Sequence, residues 1–301
     1  ISIRPYTLFL TSYVSDIEAW IVINSAGEQT GSGGRIQALQ NLNRDGVVLN
    51  GVSAPKANLW GINLSNGQLS WSNLQGAILN SANFERAFLS KSNLIKASLE
   101  EANLSQACLF KAQLAKANLG FSNLEKADLS LAQIEEADLY QANLSGANLS
   151  GANLREAKLT EAILCNTNLS RAILEEADFN RANLKGAILR KANLKGTFLV
   201  GATLKGANLE GANLEGAMIG DPIFKVTTIL TDAALKNAIL TNANLGNVKD
   251  LNRDQIYQAK LCRTNLPENI DLDPNRDCEE LGINPETGEK NTYGSILGDL
   301  F

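Results

Sequence analysis

Every fifth residue from Leu59 to Ile219 is leucine, isoleucine or phenylalanine, and the residue two positions earlier is nearly always alanine. A short fixed repeat of this kind decides the whole architecture. A leucine every five positions would wander around a helix, at about 100° per residue, whereas residues two apart in a strand lie on one face. Because five is odd, this alternation must break once per repeat. The sequence therefore predicts a chain that turns a corner every five residues and stacks on itself.

The repeat, seen in Ala57-Asn58-Leu59 and Ala152-Asn153-Leu154, resembles the A(D/N)LXX signature of the pentapeptide repeat family. The resemblance extends over about residues 47–245. It implies an all-β solenoid, a right-handed quadrilateral β-helix with four pentapeptides per coil and with the large and small apolar residues facing inward. It also implies that the protein is not an enzyme, because members of this family generally have no enzymatic activity.

The residue before each large apolar residue faces outward. With twenty residues per coil, such residues twenty positions apart lie on the same one of four sides. Two sides are rich in amides, which predicts ladders of like side chains; they begin Asn63, Asn83, Asn103 and Asn73, Asn93, Gln113. The other two sides carry outward apolar residues: Phe88, Cys108 and Ile188 on one, and Ile78, Phe198 and Met218 on the other. These residues are either a partner-binding stripe or tolerated surface residues, and the second interpretation is favoured.

We divide the chain into an N-terminal helical cap (1–46), a β-helix (47–246) and a C-terminal helical cap with an acidic tail (247–301). Helices are predicted over 16–24 and 35–42, with a loop over 27–34, and a third helix is predicted over 254–261. The N-terminal segment and the Cys-containing C-terminal extension resemble those of cyanobacterial family members. Short helical caps at both ends would cover open strand edges and favour a monomer.

The five-residue register breaks near residues 220–230. Pro222 stands where alanine belongs, Phe224 and Ile229 keep the old frame, and large apolar residues from Leu230 to Leu245 run one position out of it. The sequence therefore predicts one extra residue between Met218 and Leu230, in a bulge or small loop.

Composition agrees with a protein that is not an enzyme and has no cofactor. The chain has no histidine, which excludes histidine-based catalytic triads and metal sites. The acidic series Asp271, Asp273, Asn275 and Asp277 has the spacing of the first ligands of a calcium loop. Arg276 stands where that loop needs glycine, however, so no metal site is predicted.

Charge distribution tests one known activity of the family, DNA mimicry by members that bind gyrase. Such mimicry needs a strongly anionic surface. The net charge of the chain is −5, but the 15 basic and 15 acidic residues of 57–220 cancel, and the acidic excess lies after residue 220. The sequence therefore favours an interaction scaffold for an unidentified protein over a gyrase-binding DNA mimic, and nucleic acid is not an expected partner.

Two sets of residues are candidates for partner contact. A basic run without intervening acids contains Arg181, Lys185, Arg190, Lys191, Lys195 and Lys205. This run either attracts an acidic partner or is neutralised by the preceding acids Glu161, Glu175, Glu176 and Asp178, which is the favoured interpretation. Trp60 and Trp71 occupy outward positions near the start of the repeats, where exposed tryptophan is typical of interface hot spots. The favoured alternative is that they pack beneath the N-terminal cap.

The four cysteines and the N-terminus bear on the compartment. Cys262 and Cys278 either form a disulfide across the C-terminal extension or stay reduced in a cytosolic setting, while Cys108 and Cys165 lie at outward positions. The apolar stretches over 6–14 and 17–23 are too short to span a bilayer. Because the chain begins at Ile1, we expect a processed or truncated N-terminus. The cytoplasm is favoured, with the periplasm and thylakoid lumen as alternatives.

Overall fold

The structure, a computed structural model, describes residues 16–23, 34–220 and 226–290. The chain divides into two compact units, Ile1–Asn153 (unit 1) and Leu154–Phe301 (unit 2), and each is described by itself. The predicted loop over 27–34 falls almost entirely outside the described residues, as do the apolar stretch over 6–14, Pro222, Phe224 and the end of the acidic tail.

The predicted interior of the repeats is confirmed in both units. Ala82 and Phe84, like the equivalent residues of the other repeats, are completely buried. After each large residue the chain makes a β-turn: the N–H of Ala82 donates to the carbonyl of Leu79 at 3.0 Å. Each repeat therefore places two apolar side chains inward and turns the chain at a corner of two residues.

Parallel bridges connect residues 20 positions apart, which is four repeats per coil. In unit 1 they run from Ser53↔Asn73 to Gln133↔Asn153, and in unit 2 they start at Lys158↔Asp178. The bridges are backbone hydrogen bonds between successive coils: the N–H of Phe84 donates to the carbonyl of Asn103 in the next coil at 2.7 Å. Each coil therefore has four sides and four corners.

The second residue of nearly every corner has a positive φ, and most of these residues are not glycine. Trp71 has φ 58°, Lys111 φ 55° and Glu136 φ 55°. Positive φ at the third position of a β-turn is the mark of a type II turn. A residue with a Cβ atom loses about 1–2 kcal/mol in this conformation, so the hydrogen bonds and burial of neighbouring repeats must hold it there.

The two predicted amide-rich sides differ in their hydrogen bonds. On the first side Asn103 donates to Asn83 at 3.3 Å and Asn143 donates to Asn123 at 3.4 Å, a ladder of like amides. On the second side the asparagine reaches a carboxylate of the preceding coil: Asn193 Nδ2 donates to Glu175 Oε1 at 2.7 Å. Only the first side is therefore an amide ladder along several coils.

Two helices precede the coils of unit 1: α1 over residues 16–23 and α2 over Arg35–Arg44. α2 is two residues longer than predicted and buries Ala38, Leu39 and Leu42. Its polar side chains meet the first coil, where the N–H of Asn63 donates to Gln40 at 2.8 Å and Asn43 donates to the carbonyl of Ser65 at 3.0 Å. These bonds satisfy backbone groups that have no earlier coil to pair with.

Glycine is required at one inward position of this first coil. A Cβ atom at Gly67 would lie 2.7 Å from the Oδ1 atom of Asn43 and 2.8 Å from the carbonyl oxygen of Leu64. The missing side chain therefore makes the room in which Asn43 of α2 packs.

The register break of unit 2 is larger than predicted. Ile229 lies 26 positions after its bridge partner Thr203, whereas Thr203 lies 20 positions after Asn183, so six residues are added and the prediction of one is wrong. The inward pattern repeats every five residues, so an insertion of six residues shifts it by one position, as an insertion of one residue would. Thr228 fills the small inward position and Leu230 the next large one, while Ile229 faces outward.

The C-terminal end of the coils also departs from the predicted boundaries. β1 (Thr228–Ile229) pairs in parallel with β2 (Val248–Lys249), and bridges continue to Asn244↔Asn265, beyond the predicted limit at residue 246. The helix predicted over 254–261 is shorter, because α3 covers only Arg253–Tyr257 before Lys260 returns to the ladder.

α3 is held to the coil by one glutamine. Asn252 and Gln255 form a capping box at its start, with the N–H of Gln255 donating to Asn252 at 2.9 Å. The side-chain amide of Gln255 also donates to the carbonyls of Leu230 and Ala233, at 2.9 and 3.0 Å.

The C-terminal extension folds back on the last coil. Cys262 and Cys278 are joined by a disulfide with Cα atoms 4.8 Å apart, and both residues are buried. Asp277 accepts a hydrogen bond from the N–H of Leu261 at 2.7 Å, and Arg276 donates to the carbonyl of Tyr257 at 2.8 Å. Asn275 of the same series accepts a hydrogen bond from the N–H of Arg263 at 2.9 Å, so Asn275 and Asp277 both hold this segment to the last coil.

Candidate protein-interaction surface

The corners of unit 1 carry the side chains that are free of packing constraints. We number the corners of a coil from the residue pairs Trp60-Gly61 (first), Ser65-Asn66 (second), Ser70-Trp71 (third) and Gln75-Gly76 (fourth). Neither residue of a corner faces the interior, so packing does not restrict which residue stands there, and the positive φ of the second residue is the remaining constraint. Specific recognition by such a coil must therefore be sought in the columns that stacked corners form.

The third corner of unit 1 forms a column of aromatic and basic residues. Its successive pairs are Ser70-Trp71, Ser90-Lys91, Phe110-Lys111, Ser130-Leu131 and Ser150-Gly151. Phe88 lies on the adjoining side, two residues before this corner. We call Trp71, Phe88, Lys91, Phe110 and Lys111 the aromatic edge.

The rings of the aromatic edge are accessible to solvent. Trp71 is 59% exposed and Phe88 52% exposed, while Phe110 is partly exposed. Successive coils of a β-ladder are about 4.8 Å apart, so Trp71 and Phe110 lie about 10 Å apart along the column. An exposed tryptophan and two phenylalanines within this distance are enough for the apolar centre of an interface.

The two lysines of the aromatic edge are balanced by aromatic faces instead of carboxylates. The Nζ atom of Lys91 lies 5.4 Å from the ring centroid of Trp71, and that of Lys111 lies 5.2 Å from the centroid of Phe110. Among the ion pairs of the described residues, which join atoms within 4.0 Å, none involves Lys91 or Lys111. The surface is therefore cationic as well as apolar, and it suits a partner that carries acidic side chains.

The first corner of unit 1 has a different character. It presents Glu100 and Glu101, followed by Phe121 and Tyr140, whose rings meet edge to face with centroids 5.4 Å apart. Glu101 accepts a hydrogen bond from Ser81 at 3.3 Å. Diagonally opposite corners of unit 1 therefore carry opposite charge, which gives the unit two chemically distinct edges.

The two candidate tryptophans do not form one patch. Trp60 is 61% exposed and Trp71 59% exposed, so the alternative that they pack beneath the N-terminal helices is wrong. They stand at the first and third corners of one coil, two corners apart. A four-sided coil places such residues at opposite corners, so a single partner surface meets only one of them.

The residues of the basic run occupy all four corners of a coil in unit 2. Arg181 stands at the first corner, Lys185 at the second, Arg190 and Lys191 at the third, and Lys195 at the fourth. Three of them form ion pairs with residues 20 positions away: Arg181 with Glu161 at 3.5 Å, Arg190 with Glu210 at 3.2 Å and Lys195 with Glu215 at 3.1 Å. The acids therefore come from the following coil as well as from the preceding one.

Phe110, Lys91 and Lys111 are the residues that the sequence analysis missed. These residues lie at corners, and the aromatic edge becomes visible in the sequence only when corner positions twenty residues apart are aligned, as the side positions are. Among the described residues, no helix is long and apolar enough to cross a membrane, and no cluster of three metal-ligating side chains occurs.

Comparison with family models gives one match, to the family described as pentapeptide repeats. It is found in 8 copies, over residues 45–80, 77–112, 112–151, 152–190 and 182–218. A search of curated proteins gives no match.

Solved structures of similar chains come from the same family. HetL, a pentapeptide repeat protein involved in heterocyst differentiation regulation from the cyanobacterium Nostoc sp. strain PCC 7120, is 34% identical. The match covers 66% of this chain and 87% of HetL with a TM-score of 0.63. This likeness indicates a right-handed quadrilateral β-helix.

Two further structures are similar over parts of the chain. Rfr23, from the cyanobacterium Cyanothece 51142, is 42% identical over 32% of this chain and 60% of its own, with a TM-score of 0.20. QnrB1, a plasmid-mediated fluoroquinolone resistance protein, is 19% identical over 68% of this chain and 87% of its own, with a TM-score of 0.28. At these TM-scores neither match adds to the structural argument.

Proposed function

The chain belongs to the pentapeptide repeat family, and we propose that it is a non-enzymatic interaction scaffold whose aromatic edge binds a protein partner. The observation that carries this proposal is the column of Trp71, Phe110 and two lysines that form no ion pair with any carboxylate of the described residues. HetL is involved in regulation, a role that agrees with binding.

The chemistry of the aromatic edge defines the partner. Tryptophan at an interface gives a large contact area with few rotatable bonds, and it often dominates the binding free energy. Lys91 and Lys111 would attract acidic side chains and exclude basic ones, because like charges across an interface are unfavourable. The partner is therefore a protein segment that combines acidic residues with apolar ones.

The helices at the two ends have a protective role in this proposal. Gln40 and Asn43 of α2 bond to the open edge of the first coil, and Gln255 of α3 bonds to two carbonyls of a late coil. Both helices would act as caps that prevent strand addition by another chain. A capped solenoid of this kind would be a monomer that presents its sides.

We infer a compartment from the cysteine pair. Bonded and buried Cys262 and Cys278 support an oxidising compartment, such as the periplasm or thylakoid lumen, over the cytoplasm. Thiol labelling of the untreated protein separates these alternatives.

A matched pair of variants tests the aromatic edge. We expect the double variant Trp71→Ala/Phe110→Ala to lose a cross-linked partner from a lysate of the source cell, with a loss of about 2 kcal/mol or more, roughly thirtyfold in Kd. Trp60→Ala is the control, because Trp60 is exposed to the same degree on the opposite corner of the same coil. Retention of the partner by the double variant, or its loss in Trp60→Ala, would place the binding surface elsewhere.

Charge-reversal variants measure the contribution of the two lysines to binding separately from that of the aromatic rings. Lys91→Glu/Lys111→Glu should weaken binding more strongly at low salt than at high salt, because exposed charges are screened. Lys116→Glu is the control, since Lys116 stands at the fourth corner and already pairs with Glu136 at 3.2 Å. Lys116→Glu changes the net charge half as much, so half the effect in this control would show a general response to net charge.

A further inference from the structure

The first corner of unit 1 has two carboxylates that pair with no cation of the described residues. Glu100 accepts one hydrogen bond, from Asn80 at 3.4 Å, and Glu101 accepts one, from Ser81 at 3.3 Å. Both are accepted by the Oε2 atom, so the Oε1 atom of each glutamate makes no hydrogen bond to a described residue. None of the ion pairs of the described residues includes either glutamate.

Glutamates at the second corner of unit 1 differ from this pair. Glu85 pairs with Arg86 at 3.7 Å. Glu125, in the same column, pairs with Lys126 at 2.9 Å. The first corner and the two sides that adjoin it contain no lysine or arginine among the coil residues of unit 1. The first corner therefore carries a negative charge that no basic residue of these coils offsets.

An exposed aromatic ring stands next to the two carboxylates. Phe121 follows Glu101 by 20 positions, so it occupies the same corner one coil, about 4.8 Å, further along. It is 49% exposed, and the ring of Tyr140 meets it edge to face. No cation–π contact of the described residues involves Phe121, whereas Trp71 and Phe110 of the aromatic edge each have a lysine. The ring of Phe121 therefore offers open surface to a ligand.

Carboxylates beside an exposed ring favour arginine over other cationic side chains. A guanidinium group is planar and donates two parallel hydrogen bonds to a carboxylate, which an ammonium group cannot do. It also stacks on aromatic rings, and the aliphatic stem of arginine packs against apolar surface. One arginine can therefore contact Phe121 and the glutamates of the neighbouring coil at the same time.

We propose that the acidic edge, defined as Glu100, Glu101, Phe121 and Tyr140, binds an arginine of a second protein partner. In the proposed function the aromatic edge binds an acidic segment. One molecule would then hold an acidic and a basic partner at diagonally opposite corners of unit 1. This inference goes beyond the proposed function, and each site can fail without the other because they share no residue.

Three capped tripeptides test the acidic edge. Acetyl-leucyl-arginyl-leucine amide is the probe. Its citrulline analogue keeps the shape of arginine without the charge, and its lysine analogue keeps the charge without the planar fork. The backbone N–H signals of Glu101 and Phe121, followed by nuclear magnetic resonance on the ¹⁵N-labelled full chain, report on occupancy of the corner.

We expect the arginine peptide to shift both signals in a saturable way. The citrulline analogue should bind roughly tenfold more weakly and the lysine analogue roughly threefold more weakly. In Glu100→Gln/Glu101→Gln the arginine and citrulline peptides should bind equally. Glu85→Gln/Glu125→Gln is the matched control, because it removes the same charge from carboxylates that already form ion pairs, and it should leave the preference for arginine unchanged.

A ring variant measures stacking separately from charge. Phe121→Leu should weaken binding of the arginine peptide roughly threefold, because leucine has no aromatic face. Phe110→Leu, in the aromatic edge, is the control and should leave binding of this peptide unchanged. The same control keeps a failure of the acidic edge distinct from a failure of the proposed function.

Four results would overturn the proposal. Signals of Glu101 and Phe121 that do not move at peptide concentrations of tens of millimolar would show that no arginine binds there. Equal binding of the arginine peptide and either analogue by the unmodified protein would remove recognition of the guanidinium group. An equal loss in the two double variants would show a response to net charge alone. Full binding by Phe121→Leu would remove the ring from the site.

Discussion

Two parts of unit 2 have the same kind of buried interior but differ in the number of residues per coil. Over residues 154–219 the five-residue period and the ladder of bridges agree, and each coil has twenty residues. Over residues 226–265 the ladder continues, although six residues have been added after Ile219 and a further one between Lys249 and Lys260. Burial is the same in both parts: Leu189 and Leu240 are both completely buried.

This difference shows that pairing between coils, and not the period itself, decides which residues face inward. The six residues are added between Ile219 and Thr228, which are both buried, so the insertion falls at a corner of the coil. Thr228 then enters the inward position, and its hydroxyl bonds to the carbonyl of Leu199. A corner therefore accepts added residues while the sides keep their register.

The largest expected effect is on the interior. We expect Leu189→Ala in the regular part and Leu240→Ala in the shifted part each to lower the free energy of unfolding by about 2–5 kcal/mol, because each leaves a cavity. Urea denaturation followed by far-UV circular dichroism measures both. A loss below about 1 kcal/mol for Leu240→Ala alone would mean that the shifted coils are not packed like the regular ones, and exposed Lys185→Gln is the control with little expected change.

The disulfide of the shifted part should have the next largest effect. Replacing Cys262 and Cys278 by alanine opens a loop with a sequence separation of 16 residues, which should lower the stability of this segment by about 3 kcal/mol. Hydrogen exchange measures the local loss at two backbone N–H groups: that of Leu261, which donates to the carboxylate of Asp277, and that of Asp277, which donates to the carbonyl of Leu261.

A thiol assay on the untreated protein checks whether the bond exists in the source compartment. Cys108 and Cys165 are free and partly exposed, so they should react with a thiol reagent before reduction, while Cys262 and Cys278 should react only after it. Labelling of all four cysteines without reductant would contradict the bond and would favour the cytoplasm.

The smallest expected effect concerns the corners of unit 1. Gly61 has φ +65°, and no atom lies within 4 Å of the place that a Cβ atom would take, so Gly61→Ala tests backbone conformation alone. We expect a loss of about 1 kcal/mol. Gly120→Ala is the comparison at the preceding position of the same corner, where φ is not positive and a Cβ atom would lie 3.2 Å from the Oδ1 atom of Asn118. No measurable loss in Gly61→Ala would mean that the left-handed conformation is not a constraint at this corner.

The sequence predicts the interior well, because burial repeats with the chain's own period. Ala82, Phe84 and their equivalents could be placed inward from the spacing alone. The positive φ of Lys111 and Glu136 could not be predicted, because lysine and glutamate carry no preference for that conformation and the ladder imposes it on them. The length of the six-residue insertion could not be predicted, because insertions of one and of six residues shift a five-residue pattern by the same single position.

The candidate surface is only partly visible in the sequence. Trp71 could be selected as an outward tryptophan, but its pairing with Lys91 depends on which corner each residue occupies. Trp60 and Trp71 are close in sequence, yet they stand at opposite corners. Closeness along the chain is therefore a poor guide to a shared surface. Residues separated by a multiple of twenty positions share a corner, which is a better guide.

The separation of corners from the interior has an evolutionary consequence. A codon change at Trp71 or Lys111 alters what the edge can recognise, but it leaves untouched the alanines and leucines that fix the position of that side chain. Selection for a new partner and selection for a sound fold therefore act on different codons. A lineage can change its binding specificity in single steps without passing through unstable intermediates.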